Sequence, residues 1–571
     1  MIKENTFKII FFTIAIFFLA GFTVPAKAAN ISDVFFNVDA NFDVGESSQV
    51  QAVLIKTAAN LYFYVQKDWW EAQVPAKQSE IINNLDVLSS EFDKKIYPTL
   101  TSVFGSEWNP GVDGDSKTII LFHAMKEGVG GYFRSNDEYI KLQMPNSNEK
   151  EMLYLPISQI DNISKLKVFL AHEFVHLITF NQKDRLRGVQ EDVWLNESRA
   201  EYAATILGYN GLYEGSNLQA RLKNFLERPS DSLVEWKENK YDYGVINVFM
   251  HYLVDHYGIN MLSDSLQSPL TSIASINAVL AKNGYQEDFS QIFTNWAIAL
   301  MVNDCKVGPK YCYLSSNLAN FKINPTLNFL PLSGSSSLSV TNVTKNWAGN
   351  WQKIIGGKGD LTLEFSGVKG VHFQVPYVVV DKENVSTVHF LALDENQKGK
   401  IFIKDFDKNN NALIIIPLLE DKTSGFSNSE FTYPYTFKVS ISGQVQEDEA
   451  ALIESLLAQI ASLKQQIAAL QSGEPKNPLA VSCSSITGNL YIGMTGSQKV
   501  TCLQEFLKLQ GGAVYPEGLV TGNFGALTRL AVVRFQEKYA SDILAPLGLS
   551  WGTGFVGSST RQKINQLLQV M

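Results

Sequence analysis

Basic side chains and long apolar runs are both scarce in this 571-residue sequence. Lys and Arg number 48 against 57 Asp and Glu, which gives a formal net charge of −9. A nucleic-acid-binding protein normally carries a Lys/Arg-rich face, so we expect no nucleic-acid partner. The composition, 45% hydrophobic and 12% aromatic, excludes a disordered or fibrous chain. At about 150 residues per domain, the length predicts roughly four domains.

Only the N-terminus carries a long apolar run. Lys3 and Lys8 flank its start, it extends from residue 9 to residue 22, and Ala26-Lys27-Ala28 follows. The run is shorter than the ~20 residues of a membrane-spanning helix, so an uncleaved anchor is the weaker interpretation. We predict a secretory signal peptide over residues 1–28. The mature protein is then expected to be secreted, extracellular or in the cell envelope, without a membrane span.

Cysteine is also rare, with four residues in two local pairs. Three pairings are formally possible, and the local one, Cys305–Cys312 with Cys483–Cys502, keeps each pair inside one predicted domain. An even number at short spacing in an oxidising compartment favours disulfides over a zinc site.

Periodicity divides residues 29–312 into two parts of one unit. Residues 29–155 form a sheet-bearing part, with β-rich runs at 61–65, 117–122 and 150–155 and a helical pattern over 77–97. Residues 156–312 show the helical 3.6-residue period, with predicted helices at 197–207, 217–226, 244–257, 275–282 and 289–301.

The C-terminal half contains three segments with different sequence patterns. Short β-rich runs separated by turn residues predict an accessory β-sandwich over 330–443. Residues 447–472 carry Ile and Leu at heptad spacing, which fits either a coiled-coil homodimer or a monomeric helical spacer. After a Gly- and Pro-containing linker, residues 481–571 form a small domain of three predicted amphipathic helices. The whole chain is therefore predicted to be an α+β multidomain protein.

The chemistry is expected in His172-Glu173-Phe174-Val175-His176. Histidines at i and i+4 share one face of a helix, where both imidazoles can reach a single Zn²⁺. The Glu beside the first His can hold and deprotonate a metal-bound water. Taken alone, the pattern also fits a helix with two structural histidines.

A second acidic segment strengthens the metal interpretation. Catalytic zinc needs a third protein ligand, and Glu197 follows the His pair at the start of a predicted helix. Glu201 lies one turn later on the same face, where it can accept the remaining ring proton of a ligating His.

These residues resemble the gluzincin superfamily of thermolysin-like zinc peptidases, and most closely the hyicolysin family. The resemblance covers roughly residues 30–304 and includes Trp194-Leu195-Asn196-Glu197, Ala200-Glu201-Tyr202, Ile96-Tyr97-Pro98, Gly131-Tyr132-Phe133 and Tyr243-Gly244. It implies a thermolysin-like catalytic unit, with Zn²⁺ bound by His172, His176 and Glu197, Glu173 as general base and Glu201 orienting a ligand.

The resemblance also implies a donor for the oxyanion. Tyr243 is the first choice, with Tyr241 and His251 as alternatives. By the same resemblance the strand 150–155 is expected to be the sheet edge on which an extended peptide substrate pairs. Asp113 and Asp115 supply too few oxygens for Ca²⁺ and are interpreted as a turn.

Residues 481–568 resemble the peptidoglycan-binding-like domain of bacterial envelope enzymes, through Leu503-Gln504-Glu505-Phe506, Gly522-Asn523-Phe524-Gly525 and Arg534-Phe535-Gln536. The favoured hypothesis is a secreted zinc metallopeptidase that cleaves protein or peptide substrates and is held at peptidoglycan. The alternatives are a non-catalytic wall-binding scaffold and a peptidase that acts on peptidoglycan stem peptides.

Overall fold

The computed structural model describes residues 34–332, 334–442 and 484–569. The chain divides into two compact units, Met1–Val445 and Gln446–Met571. The predicted signal peptide, the heptad segment 447–472 and Cys483 lie outside the described residues. Within the described ranges, no helix has both the length and the apolar character needed to cross a membrane.

The first unit begins with a six-stranded mixed sheet. Its strands are β1 (Val34–Asn37), β2 (Gln49–Thr57), β3 (Leu61–Gln66), β4 (Thr118–His123), β5 (Tyr132–Phe133) and β6 (Met152–Pro156). Their order is β1-β2-β3-β4-β6-β5, with β3, β4 and β6 parallel. Every residue of β4 and β6 is buried, as expected for central parallel strands that read as unbroken apolar runs.

One prediction about this sheet is wrong. The strand at 150–155, now β6, is not the sheet edge, because β5 pairs with it antiparallel at Tyr132↔Tyr154 and Phe133↔Leu153. The edge on this side of the sheet is the two-residue strand β5. A strand this short gives almost no periodic signal in sequence, which is why sequence patterning does not reveal it.

The helices include the predicted segments, with ends that differ by a few residues, and short helices that were not predicted form over Lys67–Glu71 and Asn260–Leu266. The helices are α1 (Lys67–Glu71), α2 (Pro75–Glu91), α3 (Tyr97–Phe104), α4 (Ile163–Thr179), α5 (Val193–Ile206), α6 (Asn217–Glu227), α7 (Lys240–Tyr257), α8 (Asn260–Leu266), α9 (Ser272–Lys282) and α10 (Phe289–Val302). A π-helical turn over Phe92–Ile96 joins α2 to α3, so the pattern predicted for 77–97 continues beyond its expected end. A second π turn, Phe180–Arg185, extends α4.

Helix α4 lies at the centre of the unit. The side chain of Asn162 caps its first turn by accepting the Lys165 N–H at 3.1 Å. From Leu170 onward almost every side chain except His172 is buried, so the helix has no broad solvent face. A helix buried nearly all round belongs to the core, and α4 can therefore hold its polar residues in fixed positions.

Residues 326–442 form one antiparallel sheet, one mixed sheet in which Thr326–Leu330 runs parallel to Gln352–Gly356, and a small third sheet. The elements are β7 (Thr326–Leu330), β8 (Ser336–Thr344), β9 (Gln352–Gly356), β10 (Asp360–Ser366), β11 (Phe373–Gln374), β12 (Pro376–Asp381), β13 (Ser386–Phe390), β14 (Lys398–Ile403), α11 (Phe406–Asn409), β15 (Asn410–Ile415), β16 (Leu418–Leu419) and β17 (Tyr433–Ser442). The sheet orders are β14-β10-β17-β8, β13-β12-β15-β9-β7 and β11-β16. Both large sheets contribute to one shared apolar core, the arrangement of a sandwich.

The sandwich packs directly on the helices. Trp347 and Trp351 belong to the same apolar cluster as α10, and the indole N–H of Trp351 donates to the Ala297 carbonyl at 2.9 Å. A disulfide joins Cys305 and Cys312, as predicted, in the loop after α10. With several sheets and helices in two compact units, the protein is an α+β multidomain protein, as the sequence predicts.

The second unit contains α12 (Gln498–Leu509), α13 (Ala526–Lys538), α14 (Ala540–Ile543) and α15 (Ser558–Leu568). Its core is duplicated. The amide of Gln504 donates to Thr528 Oγ1 at 2.9 Å and accepts the Gly522 N–H, and Gln536 does the same with Thr560, 3.0 Å away, and Gly554. The sequence separations, 24 and 18 residues, are identical in both copies. Cys502 is disulfide-bonded, and its predicted partner is outside the described residues.

Candidate metal centre

Helices α4 and α5 bring three predicted ligands together. His172 Nε2 lies 3.2 Å from His176 Nε2 and 3.2 Å from Glu197 Oε2. His176 Nε2 lies 3.5 Å from Glu197 Oε1. The two imidazoles share a helix face because they are one turn apart, and α5 supplies the carboxylate from its second turn.

The triangle of donor atoms fits a zinc ion. For tetrahedral bonds of about 2.0 to 2.1 Å, donor atoms lie about 3.3 Å apart, close to the three separations of these residues. Glu197 Oε2 is buried and has no hydrogen-bond partner. Two imidazole nitrogens and a carboxylate form a donor set typical of catalytic zinc, with a fourth position left for water or substrate. The residues present therefore fit the metal that the sequence predicts.

The far side of each imidazole also faces an oxygen. His172 Nδ1 lies 3.5 Å from Glu201 Oε1, and His176 Nδ1 lies 3.1 Å from Asn196 Oδ1. Acceptors at Nδ1 favour the tautomer that leaves each Nε2 free to bind a metal. The structure thus places Glu201 where the sequence predicts an orienting carboxylate, and it adds Asn196 in the same role.

Glu201 is itself held by a dense set of donors. Arg221 on α6 forms a bidentate pair with it, Nε to Oε2 at 2.8 Å and Nη2 to Oε1 at 2.6 Å. The amides of Asn217 and Asn247 donate to Oε2 at 3.0 Å and 3.3 Å. Burial alone would raise the pKa of Glu201, but the Arg221 guanidinium holds that pKa below its usual range. The carboxylate stays charged beside His172.

Opposite charges favour one another strongly within this centre. Burial disfavours a charged imidazole, but the Glu197 and Glu173 carboxylates outweigh it and raise the pKa of His176 to about 9. Burial likewise opposes ionisation of Glu197, yet the two imidazoles hold its pKa below the usual range. The site is thus prepared for positive charge, which either protons or a metal ion can supply.

Glu173, the predicted base, is buried between α4 and the edge strand. It is 5% exposed, and burial raises its pKa above the ordinary value. Gly131, immediately before β5, is what allows this approach. A Cβ at Gly131 would lie 3.0 Å from Glu173 Oε1 and 2.9 Å from the Tyr154 carbonyl oxygen. The base and the edge of the sheet are therefore in direct contact.

The three candidate oxyanion donors differ in their surroundings. Burial raises the pKa of Tyr243, and the Glu197, Glu201 and Glu173 carboxylates raise it further, so this half-buried tyrosine keeps its phenolic proton. His251 has both ring nitrogens engaged, Nδ1 at 2.9 Å from the Asn247 carbonyl and Nε2 at 2.9 Å from Thr205 Oγ1.

Tyr241 instead carries the Arg228 guanidinium over its ring. Tyr243 is held by Trp236, which packs edge-on, and by Arg221, whose guanidinium lies 4.6 Å from the ring centroid. The same arginine thus contacts Glu201 and Tyr243. Among the three candidates, Tyr243 has the environment that best suits a donor near the ligands.

Sequence reasoning missed Arg221, Asn196 and Gly131. Arg221 carries no local signal, because its role depends on the packing of α6 against α5 and α7. Asn196 directly precedes Glu197 in Trp194-Leu195-Asn196-Glu197. Its position next to a predicted ligand was the only local signal for its role. Gly131 lies in Gly131-Tyr132-Phe133, where the close approach to Glu173 becomes visible only in three dimensions.

Comparisons with known proteins place the chain in no family. No family model matches it, and no curated protein matches it. Among solved structures, it is similar over 20% of its length to the pre-peptidase C-terminal domain of a Bacillus anthracis collagenase, covering 96% of that chain at 9% identity and a TM-score of 0.14. It is also similar over 20% to the periplasmic lysozyme inhibitor PliG of Aeromonas hydrophila, covering 98% of that chain at 8% identity and a TM-score of 0.13. Similarity at this level carries no functional argument.

Proposed function

We propose that the protein is a secreted zinc metallopeptidase. The observation that carries the proposal is the triangle of His172, His176 and Glu197, with Glu197 Oε2 lacking a partner and Glu173 beside it. Zinc bound there would supply Lewis-acid polarisation of the scissile carbonyl and acidification of a water.

The chain's own residues divide the remaining work. Glu173 takes a proton from the attacking water and later gives it to the leaving amine, a role helped by its buried position. Glu201 and Asn196 fix the imidazole tautomers, and Tyr243 donates to the developing oxyanion. Strand β5, the sheet edge that contacts Glu173, offers main-chain groups to an extended peptide.

Zinc content and casein hydrolysis of Glu173→Gln test this proposal. We expect the variant to retain about one zinc per chain and to lose catalysis by a factor on the order of 10³ or more, because only the base is removed. Glu420→Gln, a buried carboxyl on the sandwich, is the matched control and should retain activity. Equal activity in wild type and Glu173→Gln, or no zinc in the wild type, would favour the non-catalytic scaffold.

We also propose that the second unit holds the enzyme at peptidoglycan. The duplicated core around Gln504 and Gln536 fits a small, rigid binding module, and the Cys305–Cys312 disulfide fits an oxidising compartment. Deleting residues 481–571 should abolish co-sedimentation with purified sacculi while casein hydrolysis persists. Retained co-sedimentation of the truncated protein would assign wall binding to another part of the chain. Release of stem peptides from the same sacculi would identify peptidoglycan stem peptides as the substrate.

A further inference from the structure

A buried histidine lies on the face of the first sheet that points away from the helices. Leu121 and Tyr154, on the same face, belong to an apolar cluster formed by the strands and their loops. His123, the last residue of β4, is 0% exposed, and both of its ring nitrogens have partners. Nδ1 lies 3.2 Å from Asp43 Oδ2, and Nε2 lies 3.0 Å from the hydroxyl oxygen of Tyr132. His123 therefore connects the loop between β1 and β2 to the edge strand β5, which carries Tyr132.

The two partners decide which ring nitrogen of His123 carries the hydrogen. Asp43 Oδ1 accepts two main-chain N–H groups of its own loop, at 2.8 Å and 3.0 Å, and Oδ2 faces Nδ1. A carboxylate oxygen only accepts, so the neutral ring carries its hydrogen on Nδ1 and accepts at Nε2. The Tyr132 hydroxyl therefore donates to Nε2, while its oxygen accepts the Asp39 N–H at 3.2 Å. Each of these buried polar atoms has the partner that its chemistry requires.

Strand β5 depends on such side-chain contacts because its main-chain pairing is short. The pairing with β6 covers two residues, Tyr132 and Phe133. Their side chains point to opposite faces of the sheet. The Tyr132 ring stacks on Tyr154 with centroids 4.4 Å apart, and the Phe133 ring lies 6.1 Å from that of Phe180, directly after α4. Stacked rings can slide, whereas the hydrogen bond from Tyr132 to His123 is directional and fixes the strand along its length.

The strand in turn touches the proposed base. Gly131 directly precedes Tyr132, and a Cβ there would lie 3.0 Å from Glu173 Oε1. The main chain at Gly131 thus lies against Glu173 on one face of the sheet, while Tyr132 is bonded to His123 on the other. Because catalysis is sensitive to small displacements, a movement of β5 should change how Glu173 works.

We propose that neutral His123 is a positioning residue that holds β5, through the Tyr132 hydroxyl, beside Glu173. The inference rests on the proposed peptidase function. Protonation of His123 would end this arrangement, because a protonated Nε2 no longer accepts the phenolic hydrogen of Tyr132. That hydrogen would then be a buried donor without an acceptor, which is unfavourable. The edge strand should therefore loosen as His123 gains a proton.

The surroundings of His123 set the direction of this pH dependence. Burial lowers its pKa below the ordinary value of 6.5, although the Asp43 carboxylate opposes that fall. Tyr132 and Tyr154 also face the ring edge-on, with centroids 5.8 Å and 6.2 Å away, and burial raises the pKa of both, so they stay neutral. The neighbouring end of β3 presents Gln66, which does not titrate. As the pH falls, the unfolded chain takes up the histidine proton first. The contribution of neutral His123 is therefore present above pH 6.5 and decreases as the pH falls below that value.

Hydrogen–deuterium exchange of the full-length, zinc-saturated protein tests this role at about pH 7.5 and about pH 5, on either side of the histidine titration. After correction for the intrinsic effect of pH, residues 130–134 of the wild type should exchange about 10-fold faster at the lower pH. Tyr132→Phe removes the hydroxyl and should exchange about 10-fold faster at both pH values. His123→Gln offers an amide N–H to Asp43 and an amide oxygen to Tyr132 but does not titrate, so its exchange should stay slow at both.

Casein hydrolysis gives the functional readout. Tyr132→Phe should lower kcat/KM about 10-fold with zinc content unchanged. His123→Gln should retain activity at about pH 7.5 and lose less of it than wild type on acidification to about pH 5. His256→Gln is the matched control, because His256 is also partly buried and lies 2.8 Å from a main-chain oxygen, that of Cys312. It should follow wild type in both measurements.

The exchange data decide between the outcomes. Equal corrected exchange of wild-type residues 130–134 at both pH values overturns the proposal, and so does equal exchange in Tyr132→Phe and wild type. A His123→Gln protein with the pH dependence of wild type overturns it as well. If Tyr132→Phe fails to fold, the comparison of wild type with His123→Gln decides. Absence of casein hydrolysis by wild type, with the expected exchange pattern, would instead refute the peptidase function and leave His123 as the residue that holds β5.

Discussion

At the scale of single residues, Arg221 links the parts of the metal centre. It forms the bidentate pair with Glu201, which lies next to His172, and its guanidinium covers the ring of Tyr243. A planar fork of donors matches a carboxylate in a way that an ammonium group cannot. The arginine would therefore act on the proposed zinc through Glu201, as a positioning residue.

Arg221→Lys should weaken zinc binding about 10- to 100-fold, the usual loss when a partner of a metal ligand is disturbed. The lysine keeps the charge but loses the bidentate geometry, so the tautomer of His172 is less firmly held. Competition with a zinc-binding dye measures the affinity. Lys223→Ala, an exposed position on the same helix α6, is the control and should bind zinc like wild type. Equal zinc affinities for Arg221→Lys and wild type would contradict this role.

At the scale of secondary-structure elements, the contact between β5 and α4 sets the position of Glu173, the proposed base. Gly131 leaves just enough room for Glu173 beside the sheet edge. The site thus lies between a rigid core helix and a two-residue strand. A single methyl group added between them should displace Glu173.

Gly131→Ala should reduce kcat on casein about 10-fold or more while zinc content stays near one per chain. The added Cβ would displace Glu173 rather than a metal ligand, and a misplacement of about 1 Å can cost 10²-fold in rate. Steady-state kinetics with parallel metal analysis gives the answer. Gly45→Ala, whose Cβ would make only ordinary contacts, is the control. Loss of zinc from Gly131→Ala would show instead that the whole centre had moved.

At the scale of the whole molecule, the sandwich is joined to the helices through buried polar contacts. Glu420, immediately after β16, accepts the hydroxyls of Ser290 and Thr294 on α10. Burial raises its pKa to about 7, above the ordinary value of 4.5. As the pH rises, the Glu420 carboxyl therefore loses its proton in the unfolded chain before it does so in the folded protein. The stability that Glu420 contributes is present below about pH 4.5 and is lost between there and about pH 7.

Glu420→Gln should flatten the pH dependence of the unfolding free energy in this range. Relative to wild type, the variant should gain on the order of 3 kcal/mol in unfolding free energy between pH 4.5 and pH 8. Urea unfolding of both proteins at the two pH values measures the difference. Glu364→Gln, an exposed residue beside Lys400, should follow wild type. Parallel curves for wild type and Glu420→Gln would show that Glu420 has an ordinary pKa.

The sequence by itself determined what local geometry controls. The i, i+4 spacing of His172 and His176 places both imidazoles on one helix face whatever surrounds the helix, and apolar runs such as Ile119–Phe122 indicate buried strands. Regular periods in α7 and α10 gave their positions to within a few residues. These features depend on main-chain periodicity, which is visible in a short window of sequence.

Only the tertiary structure decided which distant segments meet. It made β5 rather than β6 the edge of the sheet and brought Arg221 from α6 to Glu201. The three metal-ligand candidates and Glu201 could be predicted, whereas Asn196 beside His176 and Arg221 beside Glu201 could not. Such contacts depend on which helix and sheet faces pack together, and sequence periodicity shows which face is buried but not what it packs against.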